Sequence, residues 1–504
     1  MEKGEGRELL ISKWFPIEEV SVESVRERSA SSALPPLYFL HVWFARRPLA
    51  TSRAAILGSL LPANVKREVF LKLLGIPVGV DLRKAQEKLI QAKASGIRLK
   101  ENPFFWPRAY EHTPSAEELS RFHALLKEFW GVERPLVVDP MAGGGSIPFE
   151  AMRLGLPVVA GDLNPVAFIC LKGTLEYPAR FGKKLLLAIE QFCKEVHEAA
   201  KAELEEFFPK QPGEKIYAYL WARTIRCSSC GLIIPLSPNW WVVKAKSDKE
   251  SVAVKLIVPK EGDKCNFEIV RSPVSHGLNP DKGTTKGGRV ECPRCHTVID
   301  SDEVKREARN GRMGHQLYCV CVKNRALNKT RSGWNFRAPT KEDYEAIRKA
   351  ERKLKEKLSV WKSRNLVPIE NFPETANDTR PIQYGMPRWC DLFNSRQLLT
   401  HLTYLEKFLE AKERLFTGKK RDSEEWKFAE AVVTYGAIVF DTCIDYNCLL
   451  SLWHSSRTLI AHMMGLQAFP FKWSYAEWDH SQMLWPWALS KVLDALKEII
   501  AVSY

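Results

Sequence analysis

The chain has 504 residues, 45% of them hydrophobic and 27% charged, a balance that builds packed cores and excludes a mostly disordered or collagen-like polymer. Its formal net charge of +15 favours a polyanionic partner, nucleic acid above all. The longest apolar stretches, such as 431–440, are too short to span a bilayer, and the charged start Met1-Glu2-Lys3-Gly4-Glu5 has no apolar core behind it, so a cytoplasmic location is expected.

The first distinctive stretch is Pro36-Leu37-Tyr38-Phe39-Leu40-His41-Val42-Trp43-Phe44-Ala45-Arg46-Arg47-Pro48-Leu49, followed by helix-like sequence from Ala50 to Leu61. Two arginines among aromatics suit a cofactor carboxylate or a phosphate. An ordinary surface turn has the same composition.

The most telling segment follows. The apolar run Leu136-Val137-Val138 leads into Asp139-Pro140-Met141-Ala142-Gly143-Gly144-Gly145-Ser146 and a helix-like segment, and a second run, Val158-Val159-Ala160, ends in Gly161-Asp162-Leu163-Asn164-Pro165. This reads as strand, glycine loop, helix, strand and acid. In αβ nucleotide folds ligands sit beyond the carboxyl ends of the strands. Glycines let the backbone come close to a ligand. Asp162 follows Asp139 by 23 residues, a spacing that suits an acid accepting hydrogen bonds from a ribose. The plain alternative is a tight strand-to-helix turn with no ligand. The wording of the loop resembles the S-adenosylmethionine (SAM) loop of amino-methyltransferases more than the GxGxxG of NAD enzymes.

Twelve cysteines in so long a chain do not suggest a disulfide framework. Cys227-Ser228-Ser229-Cys230 and Cys292-Pro293-Arg294-Cys295 are two CxxC knuckles, and four thiolates complete a closed, structural zinc site. The 61 residues between Cys230 and Cys292 are long for a minimal motif, and an inserted strand pair drawn from 233–259 would account for them. Cys265, Cys319 and Cys321 are read as spares, the last two as core.

Residues 323–341 carry Lys323, Arg325, Lys329, Arg331, Arg337 and Lys341 without an acid, with Trp334 and Phe336 interleaved. That mixture suits phosphates and bases, although a solvated basic loop reads the same. From Thr340 to Arg364 the chain reads as a charged, solvent-facing helix. From Tyr384 onward it reads as mainly helical, with apolar residues at helical spacing over 391–408 and 424–453.

Together these stretches resemble the zinc-ribbon-containing adenine-specific DNA methylases. The matching blocks are Leu10 to Pro16, His41 to Leu49, Asp139 to Ser146, Asp162 to Ala167, the paired CxxC, Tyr384-Gly385 with Asp391 to Leu398, Asp445-Tyr446-Asn447, Trp453-His454 and Trp473 to Glu477. The resemblance implies a partial Rossmann-like methyltransferase fold, α/β in class, with an inserted zinc ribbon and a mainly helical C-terminal region. It implies SAM as cofactor, held by Asp139, Pro140, Ala142, Gly143, Gly144, Gly145, Asp162, Asn164 and Arg46, and zinc on Cys227, Cys230, Cys292 and Cys295. The expected divisions are 1–195, 196–340 and 341–504.

The family's catalytic Asp-Pro-Pro-Tyr is not found after these blocks, so no catalytic residue is assigned. The nearest string, Asn102-Pro103-Phe104-Phe105-Trp106, lies before the glycine loop. Only two parallel strands of a cofactor sheet are evident, and such a pair is not expected to persist alone. The expectation is therefore a SAM-binding subunit of a split DNA adenine-N6 methyltransferase, with DNA and a second polypeptide as partners. The alternatives are an RNA or cytosine-N4 methyltransferase subunit, or a non-catalytic DNA-binding scaffold.

Overall fold

The computed structural model describes residues 8–29, 33–324, 335–376, 378–466 and 468–503. Over these residues it is a mixed α/β structure built from helices and five sheets of two to five strands. The chain divides into two compact units, one of Met1–Glu190, Lys419–Ile438 and Ser490–Tyr504, the other of Gln191–Gly418 and Val439–Leu489. The C-terminal stretch 341–504 is thus shared between them. No helix among the described residues is long and apolar enough to cross a membrane.

The first unit is a helical layer with one small sheet. Helices Ile17–Arg28, Leu49–Leu60, Arg67–Leu74 and Ala116–Trp130 bury Leu57, Phe70, Leu74, Phe122 and Leu126 in one core. The last of these helices starts at a Ser115/Glu118 capping box and stops at Gly131, whose left-handed backbone ends it. Helix Leu49–Leu60 follows Pro48 and lacks a side-chain cap of its own. Glu27 replaces it, accepting from the amides of Leu49 at 2.9 Å and Ala50 at 3.1 Å.

Strands β1 (Val137–Asp139) and β2 (Val158–Ala160) pair in parallel, Val138 opposite Val159. Helix Ser146–Arg153 connects them and packs on helix Leu49–Leu60. Glu150, fully buried, holds this packing by accepting from Arg53 at 2.5 Å and from Arg153 at 2.8 Å. Among the described residues no further strand joins β1 or β2.

The second unit is organised on β3 (Glu214–Arg226). Its knuckle region holds β4 (Ile233–Leu236), a three-stranded sheet of β5 (Trp241–Val243), β6 (Val252–Ile257) and β7 (Asn266–Arg271), and another of β8 (Thr285–Lys286), β9 (Arg289–Glu291) and β10 (Val298–Ile299). The expected inserted strand pair is thus a three-stranded antiparallel sheet. Strands β11 (Gly314–Asn324) and β12 (Asn335–Arg337) extend the sheet of β3. Further on come the hairpin β13 (Leu452–His454) and β14 (Leu459–Ala461), and then β15 (Ser474–Trp478), which pairs with the other edge of β3.

Two expectations are corrected here. The C-terminal region is less uniformly helical than its periodicity suggests, because β13 to β15 lie between helices Glu424–Tyr446 and Trp485–Ser503. Strands of three to five residues are too short to show a period against helical neighbours. Helix Lys341–Ser363 is present but does not face solvent all round: Ala346, Ala350, Leu354 and Trp361 are buried, and Trp361 Nε1 donates to Glu406 at 3.0 Å. Cys319 and Cys321 are core residues of β11, as read.

Candidate functional site

The glycine loop closes on the acid at the end of the second strand. Asp162 accepts from Gly143 N at 2.8 Å with one carboxylate oxygen and from Asn164 N at 2.9 Å with the other. Those two amides, that of Asn164 first, hold its carboxyl below the usual carboxylate range. Asp139 Oδ1 accepts from Met141 N at 3.2 Å, and Ala142 N donates to the Gly161 carbonyl at 3.0 Å. Asn164 caps helix Pro165–Leu171 by accepting from Val166 N at 2.9 Å. The sequence-derived residues Asp139, Pro140, Ala142 to Gly145, Asp162 and Asn164 therefore gather at the carboxyl ends of β1 and β2. Each carboxylate oxygen keeps a lone pair for a further donor.

Gly143 and Gly145 have φ of +52° and +84°, which only glycine adopts without strain. The space their missing side chains leave is filled by the protein itself. A methyl group at Gly144 would sit 2.6 Å from Arg46 Nη1, and one at Gly143 would sit 2.7 Å from Trp43 Nε1. Arg46 lies buried beneath the loop, donating from Nη1 to the Gly144 carbonyl at 2.5 Å and from Nη2 to the His41 carbonyl at 3.0 Å. Among the described residues its Nε has no partner, and burial lowers its pKa. Arg47 is exposed. Sequence reasoning overlooked Trp43, although its place beside the two arginines was the available signal.

Beside the loop the sheet is open. Val138 is 60% and Val159 55% exposed, and Met141, Leu163 and Phe168 are exposed nearby. A groove of about 690 Å³ runs along β2 and the following helical segment, lined among others by Val159, Phe168, Leu171 and Leu175. Asn102 to Trp106 is a loop whose Phe104 and Trp106 are buried in the core of this unit, Trp106 Nε1 donating to Glu23 at 3.1 Å.

The second constellation lies in the other unit. The sulfurs of Cys227, Cys230, Cys292 and Cys295 all lie within 4.8 Å of one another, and this is the only such group among the described residues. The Cys227–Cys295 and Cys230–Cys292 sulfurs are each 3.6 Å apart. Tetrahedral ligation with Zn–S bonds of about 2.3 Å places sulfurs about 3.8 Å apart, so the set could hold a structural zinc ion. One knuckle joins β3 to β4 and the other joins β9 to β10. Each turns through a residue of positive φ, Gly231 and His296, and each is closed by a hydrogen bond from that residue's amide to the first cysteine's carbonyl.

Arg294 Nε donates to Cys230 Sγ at 3.4 Å, and the Thr297 hydroxyl lies 3.2 Å from Cys295 Sγ. Hydrogen bonds from the Thr297 side chain and amide hold the Cys295 thiol down to about 6, and the Leu232 amide, with Arg294, lowers Cys230. These donors favour thiolates, the form a metal binds. Neither Arg294 nor Thr297 was singled out from sequence, although both flank the knuckle cysteines. Cys265 stands apart from the set. In the basic segment, Arg325, Lys329, Arg331 and Trp334 lie outside the described residues, whereas Arg337 is described and pairs with Asp343 at 2.6 Å.

A family model described as a protein of unknown function, DUF1156, matches residues 14–73. That span includes Glu27, Trp43, Arg46 and Arg53, but neither the glycine loop nor the cysteines. No curated protein and no solved structure matches the chain.

Proposed function

We propose that this chain is the SAM-binding, zinc-ribbon part of a DNA methyltransferase acting on the N6 amine of adenine, its catalytic motif supplied by another polypeptide segment. One observation carries the reading: Asp162 is tied to Gly143 N at the carboxyl ends of two parallel strands whose sheet is otherwise open. In this reading β1 and β2 are the first half of a Rossmann-like sheet. Asp162 accepts from the ribose hydroxyls, and the loop 142–145 with the amino end of helix Ser146–Arg153 takes the methionine carboxylate. Arg46 and Trp43 hold the loop in shape from beneath. When bound, SAM supplies a methyl group activated on a sulfonium.

The open face of the sheet supports the second part. Exposed valines on a two-stranded sheet, beside a large apolar groove, suit completion by further strands. The partner is identified by its chemistry: a polypeptide carrying Asp-Pro-Pro-Tyr, whose polar side chain and proline carbonyl grip an extruded adenine amine. The four cysteines, loaded with zinc, keep the knuckles folded. The chain's positive charge supports DNA as the substrate.

The test has two arms. Calorimetric titration should show that SAM binds the full chain, with affinity falling about tenfold or more in Asp162→Ala, the loss of one charged hydrogen bond. Tritiated methyl transfer to mixed-sequence DNA should require the Asp-Pro-Pro-Tyr protein as well. Absence of SAM binding, with and without that protein, would sink the cofactor reading and favour a scaffold. Labelled N4-methylcytosine or labelled RNA would move the target.

A further inference from the structure

Arg223 stands near the end of β3 and is only 2% exposed. Its Nε donates to the Lys472 carbonyl at 3.0 Å. Among the described residues its forked end has only thioethers as hydrogen-bond partners: Nη2 lies 3.3 Å from the Met386 sulfur and Nη1 4.0 Å from that of Met313. One face of the guanidinium covers the Phe471 ring at 4.6 Å. Among the described residues no carboxylate pairs with it.

Other buried arginines are treated differently. Arg53 and Arg153 share Glu150, Arg396 meets Glu477 at 2.7 Å, and Arg46 spends both terminal nitrogens on carbonyl oxygens. Thioether sulfur is a weak acceptor, so among the described buried arginines Arg223 alone carries a charge whose two terminal nitrogens lack an oxygen. Burial lowers its pKa to about 10, which leaves it a cation at neutral pH.

Arg223 forms one wall of a cavity of about 300 Å³, the lower end of small-ligand sites. Met313, Met386, Tyr384 and His315 line the same space. Lys362, exposed and without an ion-pair partner among the described residues, contributes a second cation. The Asp391 charge there is matched by Arg388 at 2.9 Å. The cavity is therefore positive by two uncompensated charges.

We propose that this cavity binds the phosphate group of a small molecule, held on Nη1 and Nη2 of Arg223 with Lys362 at the exposed side. A planar fork matches two phosphate oxygens, and a dianion matches two free cations. The two methionines are flexible and can swing off the guanidinium when the anion enters. The site uses no residue of the glycine loop and stands whether or not that loop binds SAM.

The test titrates inorganic phosphate, AMP, malonate and a short single-stranded oligonucleotide into the full chain by calorimetry. Phosphate or AMP should bind, and Arg223→Met should weaken that binding at least tenfold. In phosphate-free buffer Arg223→Met should unfold at the same urea concentration as the parent or a higher one, since an unpaired buried charge has been replaced by an apolar chain of similar length. Lys362→Met, at an exposed position that leaves the fold intact, should weaken phosphate binding several-fold, and it decides the matter if the first variant does not fold. The proposal is overturned if neither phosphate nor AMP binds, if only malonate or only the oligonucleotide binds, or if both variants bind phosphate as the parent does.

Discussion

The two parallel strands of the first unit and the long central strand of the second are built from the same kinds of residue and end up in opposite circumstances. Every residue of β3 from Ile216 to Ile225 is buried. In β1 and β2 the middle valines, Val138 and Val159, lie mostly in solvent. Strand β3 has β11 and β15 on its two sides, and helix Ser395–Phe416 sends Arg396 in to Glu477 of β15. Strands β1 and β2 have one helix, Ser146–Arg153, and the ion pairs of Glu150 behind it. The difference teaches where each sheet draws its stability: β3 from its own strand pairing and packing, β1 and β2 from a helix layer on one side while their outer face stays open.

The largest expected effect tests the finished side. Cys292→Ser removes one of four converging sulfurs and leaves a metal site that cannot close. Structural zinc in small finger peptides is worth about 10 kcal/mol or more, all of it folding energy. The variant should lose zinc by elemental analysis and lose on the order of 5 kcal/mol or more in urea unfolding. Unchanged stability with one zinc retained would break the contrast, since the knuckles would then be held by packing alone.

Next is the anchor of the unfinished side. Glu150→Ala leaves Arg53 and Arg153 buried without their carboxylate, a change that costs about 3–5 kcal/mol. Urea unfolding should register it, and SAM binding should weaken with it, because the helix carrying Glu150 begins at the glycine loop. Loss of stability without loss of binding would separate the loop from its support.

Much of this site was legible in the sequence. Strand, loop, helix, strand and acid could be read because glycine, proline and aspartate each have one strong backbone role at such a turn. The cysteine set could be read because CxxC spacing fixes geometry over a few residues. The reason for the glycines was not legible: Gly143 and Gly144 make room for Trp43 and Arg46, about a hundred residues earlier, and no local pattern reports a contact that distant. The strands between 452 and 478 were hidden by their shortness. Helix Lys341–Ser363 was misread as solvent-facing because its buried apolar positions, two alanines, a leucine and a tryptophan, are few among many charges. Their spacing, at 346, 350, 354 and 361, was nevertheless helical and one-sided.

Glu27 gives a smaller, pH-dependent test of the same helix layer. Burial, with some help from the Glu150 charge, raises its carboxyl from 4.5 to about 7, against the amides of Leu49 and Ala50 and the charge of Arg28. A carboxyl that holds its proton more tightly when folded stabilises the fold fully below the unfolded value. That contribution is lost as pH rises through the folded one. Between about pH 4.5 and 7.5 the site should therefore remove about 3 kcal/mol. Glu27→Gln should flatten that part of the slope in urea unfolding at pH 5 and pH 8, and an equal slope in both proteins would place the carboxyl at its ordinary pKa.

The smallest expected effect is the most discriminating. Val159 stands on the open face of β2 and is 55% exposed, so Val159→Lys removes little packed surface and should change the stability of the chain alone by about 0.5 kcal/mol or less. A fall of about 2 kcal/mol would mean that the valine is packed within this unit, and the contrast between the two sheets would fail. If stability holds, the same variant becomes a probe of completion. A lysine at the centre of a buried parallel sheet is not tolerated without a partner charge. Methyl transfer with the Asp-Pro-Pro-Tyr protein should then collapse while SAM binding by the chain stays within about twofold, the size of an effect that leaves the loop's hydrogen bonds in place. An open face that matters and an open face that is merely exposed give the same stability and opposite activities.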